Sequence, residues 1–249
     1  MTRDKLISIF NETRSLSMTI YKLETIEAVK NTEVIIDGSS LLNKKVCKAQ
    51  KIDVVNKGTI QAGIGVDSKR KVAILNFADP FTEGGLVYDG AETQEECICR
   101  CSNLYETLIK KECWDKYYKY NRNLDNNIFS DRCIYSKGIT VFRDENYNII
   151  FNPSVLDVIS CPAPICCNDI AIFEKRIKCI IGAAYSQGVD TLILGAIGCG
   201  AFGNSAELVA NAFKNVLSEY KLFDRIIFAI RCTEGIPSNN FEVFKKVLG

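Results

Sequence analysis

Thr191-Leu192-Ile193-Leu194-Gly195-Ala196-Ile197-Gly198-Cys199-Gly200-Ala201-Phe202-Gly203-Asn204 is the stretch whose pattern decides the fold. Its first four residues form a short, continuous apolar run, as expected for a strand buried on both faces of a parallel sheet. A glycine-rich turn follows. Beyond it Leu208, Val209, Ala212, Phe213, Val216 and Leu217 recur at helical spacing. Asn204 with Glu207 resembles a capping box at the start of that helix.

The same alternation continues on both sides. Upstream, Asp169 to Gln187 carries Ile170, Phe173, Ile177, Ile180 and Ala184 on one helical face, with Gly188 as a stop. Before it, 155–159 (Val-Leu-Asp-Val-Ile) has strand composition. Downstream come a strand from Arg225 to Ile230 and a helix from Phe241 to Leu248. In the first half, 72–77 (Val-Ala-Ile-Leu-Asn-Phe) predicts a buried strand, and Ala91 to Lys111 a helix. Strand-turn-helix units of this kind predict an α/β protein, a three-layer α/β/α sandwich around a mostly parallel sheet. The polar stretch from Lys110 to Ser136 contains Lys116-Tyr117-Tyr118-Lys119-Tyr120, where basic and aromatic residues interleave. Asp115, Asp125 and Asp131 dilute its charge, so an insertion packed on the surface is expected.

Composition narrows the function. The 249 residues carry 31 lysines and arginines against 30 aspartates and glutamates, a net charge of +1. Bulk binding to a nucleic-acid backbone is therefore not expected. No histidine occurs, which removes every histidine triad and histidine zinc site. Twelve cysteines occur without a secretory signal or a C-x-x-C pair. They read as reduced, mostly buried thiols in a cytoplasmic protein, not as a disulfide scaffold or metal site. No run of 18 apolar residues predicts a membrane span. A monomer and a single domain over 1–249 are expected, with 1–70 as an N-terminal helical extension packed on the core.

Two turns hold the candidate chemistry. The turn after the Val72 strand contains Gly84 and Gly85, which allow close backbone approach to a ligand. It leads to Glu95 and Glu96 in the first turn of a helix. The Gly195–Gly203 turn lies at another strand's carboxyl end, where ligands of open α/β sheets collect. Its N–H groups and the following helix N-terminus suit a phosphate or diphosphate without any lysine. Each feature alone has a plain alternative. Acidic residues in a first turn favour the helix dipole, and Glu96 stands four residues before Arg100, as in a surface ion pair.

Gly84-Gly85-Leu86 followed by Gln94-Glu95-Glu96 resembles the GGG-x-QEE signature of poly(ADP-ribose) glycohydrolases of the microbial type, built on a macrodomain core. Asn11-Glu12-Thr13, Leu75-Asn76-Phe77-Ala78, 99–105, 141–144, 160–164 and 194–204 resemble further segments of that family, in order. The resemblance implies a macrodomain-like mixed sheet and hydrolysis of O-glycosidic bonds at the distal ribose of poly- or mono-ADP-ribose. It implies Glu96 as the catalytic acid and Glu95 as the residue that holds the ribose and orients its neighbour. It also implies ADP-ribose contacts by Asn76, Ala78, Thr82, Gly84, Gly85, Leu86 and Gln94 on one side. Gly198, Cys199, Gly200, Ala201, Phe202 and Gly203 make them on the other. No cofactor or metal is implied. A general acid has to be protonated near neutral pH, so the pKa of Glu96 has to rise from about 4.3. The chain departs from the family pattern at Thr82-Glu83, where Asn-Pro is usual, and at Leu86, in place of the third glycine. Leucine adds bulk where close backbone approach is expected. A macrodomain that binds ADP-ribose without chemistry is the alternative function.

Overall fold

In a computed structural model, which describes residues 1–42, 48–232 and 238–249, seven strands form one sheet among the described residues. They are β1 (Glu33–Ile35), β2 (Lys51–Val55), β3 (Val72–Phe77), β4 (Cys133–Arg143), β5 (Ile149–Cys161), β6 (Thr191–Leu194) and β7 (Arg225–Ala229). Their order across the sheet is β1-β4-β5-β3-β6-β7-β2. β4 runs antiparallel to β1 and β5. The pairings β5-β3, β3-β6, β6-β7 and β7-β2 are parallel. The sheet is therefore mixed and mostly parallel, as the alternation of elements predicts.

The helices are α1 (Arg3–Met18), α2 (Lys22–Lys30), α3 (Thr59–Ile64), α4 (Gln94–Cys101), α5 (Leu104–Leu108), α6 (Lys111–Cys113), α7 (Lys119–Arg122), α8 (Ile170–Ser186), α9 (Ala206–Glu219) and α10 (Asn239–Leu248). Alternation along β3 separates two cores. Ala73 and Leu75 face one core, with α8, α9 and Phe244 of α10. Val72 and Ile74 face the other, with α1, α3 and α4. Helices thus cover both faces, giving three layers. β3, the middle strand, is buried from Val72 to Asn76. That explains its unbroken apolar run and brings its carboxyl end beside that of β6. The first 70 residues supply α1 to α3 and also both outer strands of the sheet, β1 and β2.

Several local expectations need correction. The helix over 91–111 starts at Gln94 and breaks at Ser102, whose backbone is extended at φ −151°. Ser102 bridges to Val141 of β4, and buried Asn103 accepts from the Thr140 N–H at 2.9 Å. These tertiary bonds compete with the helix. The expected surface insertion is in part core. A π-helical turn, Trp114–Tyr118, links α6 to α7, and Tyr117 and Tyr118 are fully buried. Cys133–Ser136 belongs to β4. The cap of α9 is Ser205, whose hydroxyl accepts from the Leu208 N–H at 3.4 Å, and not Asn204. Arg100 makes no pair with Glu96. It is fully buried and donates to the carbonyls of Leu6 (3.2 Å) and Ala91 (2.5 Å).

Candidate active site

The chain leaves β3 through an Asx turn. The Asp79 carboxylate accepts from the N–H groups of Phe81 and Thr82 at 2.7 and 2.8 Å. Gly84 and Gly85 follow at φ +69° and +61°, two consecutive left-handed residues that L side chains disfavour. A Cβ on Gly85 would stand 2.5 Å from Glu96 Oε1 and 3.2 Å from Glu95 Oε2. The double glycine is thus what allows the turn to lie on both carboxylates. Leu86, by contrast, has φ −97°. A leucine fits there without backbone strain, and its side chain is 54% exposed.

All three side chains that open α4 are bound back to this turn and to β3. Gln94 accepts from the Phe77 N–H (2.8 Å) and donates to the Leu75 carbonyl (2.6 Å) and the Thr59 hydroxyl (3.1 Å). Glu95 Oε1 accepts from Asn76 Nδ2 at 3.0 Å, and its Oε2 from the Asp79 N–H at 2.7 Å. Asn76 Nδ2 also donates to Ser160 Oγ at 3.0 Å. Glu96 Oε1 accepts from the Leu86 N–H at 2.9 Å, and Oε2 from the Thr93 hydroxyl. Both glutamates are buried. Burial, helped by the adjacent charge of Glu96, pushes the Glu95 carboxyl well above the usual carboxylate range; the Asp79 N–H and the Asn76 amide oppose it. Glu83 lies near enough to Tyr105, Tyr118 and Cys113 to add to the burial that keeps all three protonated.

The second turn is fixed by Asn204. Its amide donates to the carbonyls of Pro164 (2.7 Å) and Gly198 (2.8 Å), and its oxygen accepts from the Cys167 N–H at 2.8 Å. Gly198 and Gly203 hold φ of +74° and +67°. A Cβ on Gly198 would stand 2.5 Å from the Asn204 amide, whereas one on Gly200 would meet nothing.

The two turns meet at one rim of the sheet. Phe81 packs edge-on against Phe129 at 5.3 Å, and Phe129 lies 6.5 Å from Phe202. Phe129 itself is left-handed at φ 59°, with its N–H on Asn126 Oδ1. A cleft of about 520 Å³ lies along the second turn and the start of α4, and neither Glu96 nor any residue of the 79–86 turn lines it. Of the residues singled out from sequence, Ala78, Gln94, Gly198, Gly200, Ala201 and Phe202 line it. Asn76 and Glu95 lie buried below, bonded to each other. Thr82, Gly84, Gly85, Leu86 and Glu96 are gathered at the first turn, tied through Glu96 to Thr93, which lines the cleft. Cys199 and Gly203 are in the second turn but do not line the cleft.

The far end of the cleft was not legible in the sequence. Thr59, Ile60, Glu145, Tyr147, Arg231 and Asn240 line it from four separate segments. Glu145 Oε1 accepts from the Ile60 and Gln61 N–H groups at 2.9 and 3.2 Å, capping α3 from across the molecule. None of these residues stands in a motif, so no spacing signals them. No cluster of three or more metal-ligating side chains occurs among the described residues. No described helix is long and apolar enough to cross a membrane. The site offers left-handed glycine turns that allow close backbone approach to an anion, and two buried carboxyls that can exchange a proton.

Comparison with known proteins bears on this site. The family model for the catalytic domain of microbial-type PARG matches residues 11–144. A solved poly(ADP-ribose) glycohydrolase from Thermomonospora curvata, bound to the inhibitor ADP-HPD, is 25% identical with a TM-score of 0.83; the match covers 98% of this chain and 99% of that one. The Deinococcus radiodurans poly(ADP-ribose) glycohydrolase in complex with ADP-ribose is 25% identical with a TM-score of 0.81, over 89% of this chain and 95% of that one. No curated protein matches the chain.

Proposed function

Because the chain belongs to the microbial-type PARG catalytic-domain family, we propose that it hydrolyses O-glycosidic ADP-ribosyl bonds and releases ADP-ribose. The observation that carries this reading is the contact of Glu96 with the Leu86 N–H, at the rim where both glycine turns converge. ADP-ribose lies along the cleft with its diphosphate against the 198–203 turn. Its distal ribose lies between Phe202 and the Gly84-Gly85 turn, beside Glu96.

In the first step Glu96 donates a proton to the leaving oxygen as the bond from that oxygen to the anomeric carbon breaks. An oxocarbenium-like sugar remains, and the diphosphate stabilises its positive charge. The Glu96 carboxylate then takes a proton from the water that adds to the anomeric carbon, which restores the acid. One glutamate thus serves as acid and base, where many glycosidases use two carboxylates. Glu95, clamped by Asn76 and the Asp79 N–H, holds the sugar hydroxyls and the orientation of Glu96. Gln94 keeps α4 against β3. The whole of 1–249 acts as one unit, since both outer strands come from its first 70 residues.

Glu96→Gln is the deciding variant. Turnover of ADP-ribosylated substrate falls about 10²-fold or more, while calorimetric binding of ADP-ribose survives. Unchanged turnover rejects Glu96 as the acid. The binding-only reading draws on the burial of Glu96 behind Leu86 and Thr93. Binding of ADP-ribose with no product from the unaltered protein selects that reading.

A further inference from the structure

Glu96 is enclosed at both oxygens. Oε1 lies under the Leu86 N–H, so close to the glycine turn that a Cβ on Gly85 would stand 2.5 Å away. Oε2 is met by the Thr93 hydroxyl. The Glu96 side chain is buried and does not line the cleft. Thr93 is exposed and does line it. Among the described residues, Thr93 is the one cleft-lining side chain bonded to Glu96. A proton that passes between Glu96 and the cleft therefore meets this hydroxyl on its way.

The hydroxyl is not taken up by the fold. Thr93 is the N-cap of α4, with an extended backbone at φ −100° and ψ −176°. A threonine at an N-cap ordinarily accepts from an N–H two or three residues on, and a Thr-x-x-Glu sequence ordinarily pairs each side chain with the other's backbone N–H. Here the Thr93 side chain makes no cap bond, and the two side chains bond each other instead. The Thr93 carbonyl, by contrast, opens the helix in the usual way, accepting from the Cys97 N–H at 3.0 Å. A hydroxyl both donates and accepts, so it can take up one proton as it gives another away. A backbone N–H such as that of Leu86 only donates, so the proton has no comparable path through Oε1.

We propose that Thr93 is a catalytic residue, the relay whose hydroxyl carries the proton between Glu96 and the leaving oxygen. This rests on the hydrolase reading and deepens its acid–base step. With Glu96 protonated, its Oε2–H bond breaks and that proton goes to Thr93 Oγ1. The proton of the Thr93 hydroxyl goes to the leaving oxygen, which keeps the electron pair of its broken bond to the anomeric carbon. On return, the water oxygen bonds to the anomeric carbon and a water proton goes to Thr93 Oγ1. The Thr93 proton goes to Glu96 Oε2, and both residues end as they began. The acid stays under the glycine turn while its proton reaches the cleft.

The test uses Thr93→Val, which keeps the shape and removes the hydroxyl, and Thr93→Ser, which keeps the hydroxyl. The substrates are poly(ADP-ribose) and an O-ADP-ribosylated peptide. The single-turnover rate of Thr93→Val falls about 10²-fold, and Thr93→Ser restores most of it. The Kd for ADP-ribose stays within about twofold in both, which also reports that they fold. Rates across H2O–D2O mixtures separate a relay from mere support of Glu96. Two protons in flight bow that plot in the unaltered protein, and it straightens in Thr93→Val. An unchanged rate in Thr93→Val while Glu96→Gln is inactive overturns the relay and leaves the hydrolase reading standing. A slowed Thr93→Val with the plot still bowed, a straight plot in the unaltered protein, or a parallel loss of ADP-ribose affinity does the same. An unaltered protein that cleaves neither substrate, whether or not it binds ADP-ribose, rejects the hydrolase reading and the relay with it.

Discussion

Glu95 and Glu96 are adjacent in sequence, yet their surroundings separate their tasks. Glu95 is enclosed, with one amide and one backbone donor, and burial holds its carboxyl well above the ordinary range. A carboxyl raised in this way contributes stability that is complete below its unfolded value, about 4.3. That contribution is lost as pH rises through the folded value. Glu95→Gln has no such titration. The melting temperature of the unaltered protein relative to Glu95→Gln is therefore expected to fall as pH is raised above about 4.3. A difference that stays flat from acid to neutral pH removes the raised carboxyl from the account. The Glu-Glu pair itself was legible through the resemblance of Gly84-Gly85 and Gln94-Glu95-Glu96 to the family signature. The division of labour was not, because it depends on Asn76 of β3 and the Asp79 N–H of the turn that follows it. Leu86 illustrates the converse. The family pattern expects glycine there, but φ −97° makes leucine unstrained, and its backbone N–H still reaches Glu96.

Among the elements, β6, its glycine turn and α9 were readable because burial on both faces leaves an unbroken apolar run and a left-handed turn demands glycine. Asn204 was misread because its neighbour Ser205 takes the cap. Its own amide joins the 164–167 loop to Gly198 in the glycine turn. Asn204→Ala leaves the Pro164 carbonyl and the Cys167 N–H without partners, while the backbone N–H of residue 204 still reaches the Gly198 carbonyl; each group left bare costs about 1–3 kcal/mol when buried. Such a variant is expected to lose thermal stability and to bind ADP-ribose at least tenfold more weakly. Equal affinity by calorimetry would show that the turn keeps its shape without this amide. The break between α4 and α5 was invisible for a related reason. Ser102 and Asn103 are ordinary within a helical pattern, and only their bonds to β4 stop the helix. The outer half of β5 escaped notice because Ile149–Val155 is mostly exposed and shows no core-facing alternation.

At the scale of the molecule, one buried cation organises the wall beyond the cleft. Arg176 of α8 is 1% exposed and donates to the carbonyls of Ile128 (2.9 Å), Phe129 (3.4 Å) and Pro162, and to Asp131 at 2.8 Å. It thereby holds the left-handed Phe129 that touches both turns. Arg176→Met removes these bonds and leaves Asp131 with Lys175 alone. Each buried carbonyl left without its donor costs about 1–3 kcal/mol, and each kcal/mol is about 2–4 °C in Tm for a chain of this size. Calorimetric melting checks it, and an unshifted transition would mean that the Phe129 wall stands without the arginine. The sheet carries a further consequence in the order of its strands. Lys51 of β2 lies beside Arg225 of β7, and that pairing closes one edge of the sheet. At about 5–20 residues per second on the ribosome, the earlier strand waits on the order of 10–30 s for its neighbour to be made. Throughout that interval its hydrogen-bonding edge is open to chaperones and to other nascent chains.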